Sequence, residues 1–289
     1  MPETIFPAPF IVGCGRSGTA LLRLMLDAHP DLSIPPETGF IPAVIKIRFH
    51  WGDRRRAFYQ TVTDFHTWDN FNLSKEELYR GLLCREPFTI PDGLRSFYRA
   101  YANRFGKKRW GDKTPSYGLH LAKIQKLLPE ARFIHVIRDG RDVALSMREL
   151  WWAPGGKMTQ LARYWADQVR RTRAEGRRVL HYFEVRYEDL VRNTRAELER
   201  ICAYLDLPFS GKTEKYYENA SRYEEEVNTL RDAQGRVLIT REELLSRARF
   251  LRRPPDISRI SRWKTEMKPG ERLEFEAAAG DLLRQLGYE

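Results

Sequence analysis

Short apolar runs alternate with amphipathic segments along this chain. Runs rich in β-forming residues at 6–12, 133–137 and 179–185 predict buried strands. Apolar positions at helical spacing predict helices at 74–84, 94–105, 117–128, 160–175, 194–205 and 270–286. Strands that alternate with helices form parallel sheets with helices on both faces, so the pattern predicts an α/β fold.

The first predicted strand runs into the glycine-rich stretch GCGRSGT at residues 13–19. Leu21, Leu22, Met25 and Leu26 then recur at helical spacing, which places the glycines at a strand-to-helix turn. A turn of this kind exposes backbone N–H groups and the positive end of a helix to an anion. The stretch is therefore predicted to bind a phosphate group.

The loop has the glycine spacing of a P-loop but lacks the lysine that normally follows. Gly13 and Gly18 fit the spacing, whereas Thr19 and Ala20 stand where a kinase or nucleoside triphosphatase has Lys followed by Ser or Thr. Those enzymes use that pair to hold the β/γ-phosphates and Mg²⁺. We therefore predict that the loop holds a terminal anion without a metal ion, with Arg16 as its fixed charge.

Polar side chains also follow the other two strands. Arg138 comes directly after the second strand, and Ser146 stands eight residues further on, in a predicted helix. Arg186 and Tyr187 follow the third strand. Because the carboxyl ends of parallel strands meet at one edge of a sheet, we expect these residues to converge with the first loop. A guanidinium binds phosphate through paired N–H groups, so one nucleotide with two separate phosphates would satisfy both loops.

Composition narrows the class of protein only moderately. A length of 289 residues favours one large α/β domain over two small ones. The formal net charge of +11 predicts an anionic partner, but does not separate a nucleotide from a nucleic acid, an anionic sugar or a phospholipid surface. The three cysteines match neither a zinc site nor a disulfide framework, and neither an export signal nor a membrane span is visible. These features predict a cytoplasmic protein.

The stretches GRSGTALL and RDGRDVALS together resemble the two nucleotide signatures of sulfotransferases that use 3'-phosphoadenosine 5'-phosphosulfate (PAPS). In that family the first loop holds the 5'-phosphosulfate and the second holds the 3'-phosphate. The resemblance continues in VRYEDL and ISRWK and spans residues 10–263, so we assign 1–289 to one sulfotransferase domain. It implies a P-loop-like parallel sheet, PAPS as donor, adenosine 3',5'-bisphosphate (PAP) as product, and no metal. The candidate nucleotide-binding residues are Gly15, Arg16, Ser17, Gly18, Thr19, Ala20, Arg138, Ser146, Tyr187, Arg252, Arg253 and Arg262.

The run DAHPDLSIPPETGFI at residues 27–41 is most similar to the branch that includes protein-tyrosine sulfotransferases. The glutamate of a Glu-Thr pair is the proposed base in that branch, so the resemblance assigns the role to Glu37. Arg16 and Lys113, the latter in WGDKTP, can then stabilise the oxygen that gains charge during transfer. A histidine, as in the cytosolic small-molecule branch, is the alternative base. Gly39 replaces a basic residue of the tyrosine branch, and we expect a small-molecule, lipid or glycan hydroxyl as acceptor ahead of peptide tyrosine.

Two other functions remain open from the sequence. A P-loop kinase of a nucleotide or small metabolite would require Mg²⁺ and ATP. A non-enzymatic basic protein would bind heparin or nucleic acid with a steep dependence on salt. The sulfotransferase interpretation, with no nucleic acid partner, is favoured because both signatures follow predicted strands.

Three further expectations concern the surroundings of the site. Asp112 is expected to hold Lys113 or to cap a helix at Pro115. Residues 219–255 are predicted to form a partly helical surface segment followed by a loop. The acceptor pocket is expected from residues 50–72 and 150–157, which are rich in tryptophan.

Overall fold

Strands and helices alternate through most of the chain. The computed structural model describes residues 5–47, 52–84, 86–150, 152–219, 224–231, 236–247 and 249–288. The strands are β1 (Ala8–Gly13), β2 (Leu32–Ser33), β3 (Arg109–Trp110), β4 (Asp112–Lys113), β5 (Ala131–Ile137), β6 (Tyr182–Arg186), β7 (Leu230–Arg231) and β8 (Val237–Ile239). The α-helices are α1 (Thr19–Asp27), α2 (Ile41–Lys46), α3 (Arg54–Thr63), α4 (Lys75–Leu83), α5 (Ile90–Asn103), α6 (Leu121–Leu127), α7 (Gly140–Met147), α8 (Met158–Gly176), α9 (Tyr187–Arg192), α10 (Thr194–Tyr204), α11 (Arg241–Arg247), α12 (Trp263–Glu266) and α13 (Pro269–Gln285). Short 3₁₀-helices lie at Trp68–Phe71, Pro115–Leu119, Tyr216–Asn219, Arg249–Arg252 and Ile257–Arg259.

The central sheet has four parallel strands in the order β4-β1-β5-β6. Strand β1 pairs with β5 over its whole length, from Ala8 opposite Ala131 to Gly13 opposite Val136. The three strands that the apolar runs predict are all present in this sheet, with ends shifted by a few residues. The fourth, β4, is a two-residue strand that the hydrophobic pattern did not reveal.

Helices cover both faces of this sheet. Alternate residues of β1 and β5 point to opposite sides, and Phe10 and Phe133 belong to an aromatic-rich layer formed with α2 to α5. Ile11 and Ile134 belong to a second layer, formed with α1, α9 and α10. The predicted α/β fold with a parallel sheet between helices is therefore confirmed.

The predicted helices are present, and their ends follow local capping. Helix α5 begins at Ile90, four residues before the predicted start, because the Thr89 side chain accepts a hydrogen bond from the Asp92 amide. The predicted helix at 117–128 is divided into the 3₁₀-helix Pro115–Leu119 and α6. Helix α8, with 19 residues, is the longest described helix. Among the described residues, no helix combines the length and the apolar character that a membrane span requires.

Residues 219–255 carry more structure than the sequence predicted. Their described part contains the antiparallel pair β7–β8, α11 and the 3₁₀-helix Arg249–Arg252. Glu226 of this segment is buried, forms an ion pair with Arg23 of α1, and accepts a hydrogen bond from Tyr101 of α5. A buried ion pair and a buried hydrogen bond thus connect this segment to α1 and α5, so the segment does not lie wholly on the surface.

Candidate active site

A cavity of about 350 Å³ lies at the carboxyl edge of the central sheet. Each of the four strands contributes a residue at or just beyond its end: Gly13, Lys113, Arg138 and Tyr187. The full set of lining residues is Gly13, Gly15, Arg16, Gly18, Thr19, Ala20, Leu21, Glu37, Lys113, Pro115, Ser116, Arg138, Ser146, Trp152, Tyr164, Gln168, Tyr187, Leu251 and Arg259. The strand ends that the sequence predicted to converge do meet at one cavity. Arg186, which was expected there too, does not line it and instead donates to the carbonyl of Leu286 at 2.6 Å.

The glycine-rich loop brings its backbone against this cavity. Gly18 has a φ of +100°, and a Cβ atom placed on it would lie 2.4 Å from the ring of Tyr187. Only glycine combines that backbone conformation with so close an approach. Helix α1 begins at the next residue, and its first-turn residues Thr19, Ala20 and Leu21 line the cavity. The positive end of a helix therefore opens onto the cavity, as in phosphate-binding sites.

The loop contains a polar atom that suits a bound anion. Ser17 is 1% exposed, and its hydroxyl oxygen has no hydrogen-bond partner among the described residues. A buried hydroxyl without a partner costs free energy, so native proteins normally pair it with protein, water or ligand. Ser17 stands between Arg16 and Gly18, both of which line the cavity. A phosphate oxygen held by this loop is a fitting partner for the hydroxyl.

Arg138 connects the two signatures. Its guanidinium donates to the carbonyl of Arg16 at 3.2 Å and to the carbonyl of Arg259 at 2.7 Å. It also stacks on the ring of Tyr187, 4.4 Å from the centroid, and lies 3.6 Å from Asp142. A side chain held at four points presents its remaining N–H groups in a fixed direction, which favours recognition of a phosphate group. The Nε of Arg138 has no partner within the described ranges.

The C-terminal arginines divide into those at the site and those away from it. A second cavity of about 290 Å³ shares Arg16, Ser146 and Arg259 with the first, and Arg262 lines this second cavity while pairing with Glu266. Arg252 and Arg253 line neither cavity. Arg252 forms an ion pair with Glu224 at 2.9 Å, and the carbonyl of Arg253 accepts from the Tyr216 hydroxyl at 2.6 Å.

Arg259 is a site residue that the sequence did not reveal. It follows no strand of the central sheet, and the one available signal was the repeated Ser-Arg pair in ISRISRWK at 257–264. Its position depends on α7, because Asp142 accepts hydrogen bonds from the amides of Ser261 and Trp263 at 2.8 and 2.9 Å. The guanidinium of Arg141 stacks on the Trp263 ring, with its carbon 3.5 Å from the centroid. The RDGRD stretch therefore holds the turn that carries Arg259.

Glu37 and Lys113 form an ion pair and both line the first cavity. The Lys113 Nζ lies 2.6 Å from the Glu37 Oε1, and the Glu37 side chain is 53% exposed whereas that of Lys113 is buried. Strand β4 places Lys113 opposite Ile11 of β1, next to the glycine-rich loop. Helix α2 begins with Phe40 as its N-cap, so Glu37 does not cap it. A carboxylate and an ammonium group thus stand together at the cavity.

The prediction for Asp112 was wrong. It neither holds Lys113 nor caps the helical turn at Pro115, because its side chain points to the opposite face of β4. There it accepts hydrogen bonds from the hydroxyls of Thr38 and Tyr98 at 2.7 and 2.8 Å. It is fully buried, and burial raises the pKa of its carboxyl to about 6.

The wall of the cavity is partly aromatic. Trp152, at 40% exposure, lines the cavity together with Tyr164 and Gln168, which are one turn apart on α8. Trp152 falls in the expected segment 150–157, whereas Trp151 and residues 48–51 lie outside the described residues. The described part of 50–72 does not line this cavity. The sequence did not reveal Tyr164 and Gln168, because side chains on one face of an amphipathic helix have the same spacing whether that face lines a cavity or packs in the core.

The charge of the cavity is strongly positive. Arg16, Lys113, Arg138 and Arg259 line it against the single carboxylate of Glu37, and none of the described lining residues is a histidine. No group of three or more His, Cys, Asp or Glu residues in the described ranges could hold a metal ion. The arrangement suits an anion with two phosphate groups and offers one carboxylate as a base.

Comparison with known proteins identifies the family. The model of the sulfotransferase family matches residues 7–211, more than half of the chain, and the chain therefore belongs to that family. It is 28% identical over 135 residues to a protein-tyrosine sulfotransferase of Drosophila melanogaster, and 31% identical over 157 residues to the nodulation protein NoeE of Sinorhizobium fredii. These matches cover 47% and 53% of this chain but 24% and 35% of the two relatives, so the chain spans less than half of their length.

A solved structure shares the fold over nearly the whole chain. The sulfotransferase domain of the Synechococcus PCC 7002 olefin synthase superimposes with a TM-score of 0.58. The two chains are 23% identical, and the match covers 97% of this chain and 96% of the other. At this identity the likeness establishes the architecture, and the chemistry has to be argued from the site.

Proposed function

We propose that this protein transfers a sulfonate group from PAPS to a hydroxyl acceptor, with Glu37 as the base. The observation that carries the proposal is the meeting, in one cavity, of a lysine-free phosphate loop, Arg138 of the second signature and the Glu37–Lys113 pair. Membership of the sulfotransferase family supports it independently. PAPS, when bound, supplies the activated sulfonate group.

The two ends of the donor are assigned to different parts of the site. The backbone of Gly15 to Thr19 and the buried Ser17 hydroxyl hold the 5' end, where the positive end of α1 favours negative charge. Arg138, Ser146 and Arg259 hold the 3'-phosphate, with Arg262 in the adjoining cavity. Tyr187 closes the space between them by packing its ring on Gly18 and Arg138.

Glu37 and its neighbours carry the chemical step. The sulfur–oxygen bond to the donor phosphate breaks while a sulfur–oxygen bond to the acceptor hydroxyl forms. The electron pair of the broken bond stays on the phosphate oxygen of PAP, and the acceptor proton passes to the Glu37 carboxylate. Once protonated, Glu37 no longer attracts Lys113 as an anion, so this ammonium group and Arg16 can stabilise the oxygen that gains charge. The step requires no metal ion in this proposal.

The acceptor enters beside the exposed part of Glu37. Leu21, Pro115, Trp152 and Leu251 give the cavity apolar surface, while Tyr164, Gln168 and Ser116 add hydrogen-bonding groups. We propose a small-molecule, lipid or glycan hydroxyl, ahead of peptide tyrosine, as the acceptor. Cys14, Cys84 and Cys202 are free, which suits the cytoplasmic location that the sequence predicted.

A melting-temperature screen separates this proposal from its rivals. The protein is heated with PAP, with ATP and Mg²⁺, or with heparin, because a ligand that binds the folded state raises the melting temperature. We expect PAP to give the largest shift, and that shift should persist in EDTA. A larger shift with ATP and Mg²⁺ would favour a kinase, and one with heparin would favour a binding protein.

The role of Glu37 is tested in a PAP-release assay. Glu37→Gln preserves the shape of the side chain but removes the base, so turnover should fall by about 10²-fold or more while PAP binding is retained. Glu77→Gln, an exposed position on α4, is the matched control and should leave turnover unchanged. Full activity of Glu37→Gln would remove the assignment of the base.

A further inference from the structure

Thr38 and Thr114, the residues that follow Glu37 and Lys113 in sequence, are hydrogen-bonded to each other. The amide of Thr38 donates to the hydroxyl oxygen of Thr114 at 3.1 Å, directly behind the Glu37–Lys113 pair. The carbonyl of Thr38 accepts a hydrogen bond from the Thr67 hydroxyl at 2.9 Å. Both polar groups of the Thr38 backbone are therefore held, although residues 34–40 lie in neither a helix nor a strand.

The side chain of Thr38 is hydrogen-bonded to the buried carboxylate of Asp112. Asp112 stands opposite Phe10 in the central sheet and projects into the aromatic layer, where it accepts from Thr38 and Tyr98. The ring of Tyr98 stacks on Trp110 with centroids 4.6 Å apart, which fixes the position of its hydroxyl. An ionisable group inside an aromatic layer is costly, so its presence calls for a reason beyond packing.

The hydrogen bonds around Thr38 can run in only one direction. Thr38 has a single hydroxyl hydrogen, which it donates to Asp112, so its oxygen accepts the hydrogen of the Tyr117 hydroxyl at 2.8 Å. The Tyr117 oxygen in turn accepts from the amide of Ile41 at 3.0 Å. The hydrogen bonds thus run from the Ile41 amide to Tyr117, from Tyr117 to Thr38, and from Thr38 to the Asp112 carboxylate. An ionised carboxylate only accepts hydrogen bonds, and it is the group that sets this order.

We propose that Asp112 is a positioning residue for Glu37: by accepting the Thr38 hydroxyl, it fixes the backbone that presents the Glu37 carboxylate to Lys113. The inference deepens the proposed function and rests on it for the role of Glu37 as a base. The side chain of Glu37 is half exposed, and among the described residues Lys113 is its one ion-pair partner. The adjoining Thr38 is fully buried, so it is the point at which the loop is anchored.

Protonation of Asp112 should weaken this arrangement. Burial raises the pKa of Asp112 to about 6, although the hydrogen bonds from Thr38, Tyr98 and Thr114 and the Lys113 ammonium act in the opposite direction. A protonated carboxyl is a weaker hydrogen-bond acceptor than a carboxylate, so protonation weakens the bonds that Thr38 and Tyr98 donate to the same oxygen of Asp112. Turnover should therefore fall as the pH drops through this range, and a variant with an uncharged residue at 112 should lack that part of the pH profile.

The test uses two isosteric variants and two controls, each made in the whole 289-residue chain. Asp112→Asn replaces the carboxylate by an amide, and Thr38→Val removes the hydroxyl while keeping the shape of the side chain. Thr38→Ser restores the hydroxyl. Thr213→Val removes a buried hydroxyl whose hydrogen bond, to the Ser210 carbonyl at 2.7 Å, lies outside the site.

PAP release is followed with PAPS and two kinds of acceptor. A simple alcohol, or water where no alcohol is used, needs a base to remove its proton. p-Nitrophenol is largely ionised in mildly alkaline buffer and brings no proton to remove. For Asp112→Asn and Thr38→Val we expect a roughly 10-fold or larger loss of kcat with the alcohol, a smaller loss with p-nitrophenol, and a KM for PAPS within about twofold. Thr38→Ser should recover activity, and Thr213→Val should match the unsubstituted protein.

Crystal structures of the same variants give a readout that does not depend on activity. We expect Asp112→Asn to lose the 2.6 Å contact between Glu37 and Lys113. Retention of that contact together with unchanged kcat and pH profile would overturn the positioning role. If the contact is lost in the variant but the unsubstituted protein releases no PAP with any acceptor, the positioning role stands and the proposed function fails. Should Asp112→Asn not fold, Thr38→Val decides both readouts.

Discussion

Replacement of Asp112 by asparagine should stabilise the folded protein at neutral pH, even though it should impair turnover. Burial raises the pKa of this carboxyl from 3.8 to about 6 in the folded state. Each pKa unit corresponds to about 1.4 kcal/mol, so keeping Asp112 ionised in the folded protein costs about 3 kcal/mol. Asparagine has no such cost, and its amide oxygen can accept from both Thr38 and Tyr98, which donate to the same carboxylate oxygen of Asp112. Its amide nitrogen then lies where the other oxygen has no partner among the described residues, and the unpaired N–H groups cost about 1 kcal/mol. The net expectation is a gain of about 2 kcal/mol at about pH 8.

The sign of this effect changes with pH. A carboxyl whose pKa is higher in the folded than in the unfolded state binds protons more readily when folded, so the stability that it contributes is present below about pH 4 and lost as the pH rises through about 6. Near pH 4 the Asp112 carboxyl is protonated in the folded protein and roughly half protonated in the unfolded chain, so most of the cost has disappeared. The variant should then be less stable than the unsubstituted protein by about 1 kcal/mol.

Urea unfolding followed by tryptophan fluorescence measures the difference between the two proteins from about pH 4 to about pH 8. Other titrating groups are common to both proteins and cancel in the difference. Thr213→Val serves as the control, because its effect on the free energy of unfolding should not depend on pH. A difference between Asp112→Asn and the unsubstituted protein that stays constant across this range would refute the reasoning.

Three other changes probe the rest of the structure. Glu226→Ala leaves the buried guanidinium of Arg23 without its carboxylate and should lower the free energy of unfolding by about 3–5 kcal/mol in urea, whereas replacing both residues by apolar ones should cost less. Burial lowers the pKa of His135 to about 4, so the contribution of this residue to the free energy of unfolding should be present above about pH 6.5 and lost as the pH falls. If the free energies of unfolding of His135→Gln and the unsubstituted protein differ by the same amount at every pH, this expectation is contradicted. Gly18→Ala should abolish the melting-temperature shift given by PAP, whereas Gly211→Ala, which has open space around its Cβ position, should retain it.

The sheet and its binding edge were predictable because their signals are local. An apolar run followed by glycines or an arginine marks a strand and its end, and parallel strands bring such ends together whatever the rest of the chain does. The local pattern alone therefore places Gly18, Arg138 and Tyr187 at one edge of the sheet, and the structure brings all three to one cavity. The family, too, was predicted from the residues of these turns, and it is confirmed.

The positions of the C-terminal arginines could not be predicted from the local sequence pattern. Arg252, Arg253, Arg259 and Arg262 all lie in an arginine-rich stretch with no central strand, and charge alone does not distinguish them. Their positions depend on where the stretch is attached. The carboxylate of Asp142 holds the turn that carries Arg259 and Arg262, whereas Arg252 turns to Glu224.

What the sequence by itself determined is the fold class, the loops at the strand ends and the family, because hydrophobic period and turn chemistry act over a few neighbouring residues. What only the tertiary structure decided is the environment of each charge. Asp112 and Lys113 are adjacent in sequence, yet a two-residue strand sends one into an aromatic layer and the other to the cavity. Pairing with β1 decides which side chain faces which way, and that pairing joins residues about a hundred positions apart in the chain.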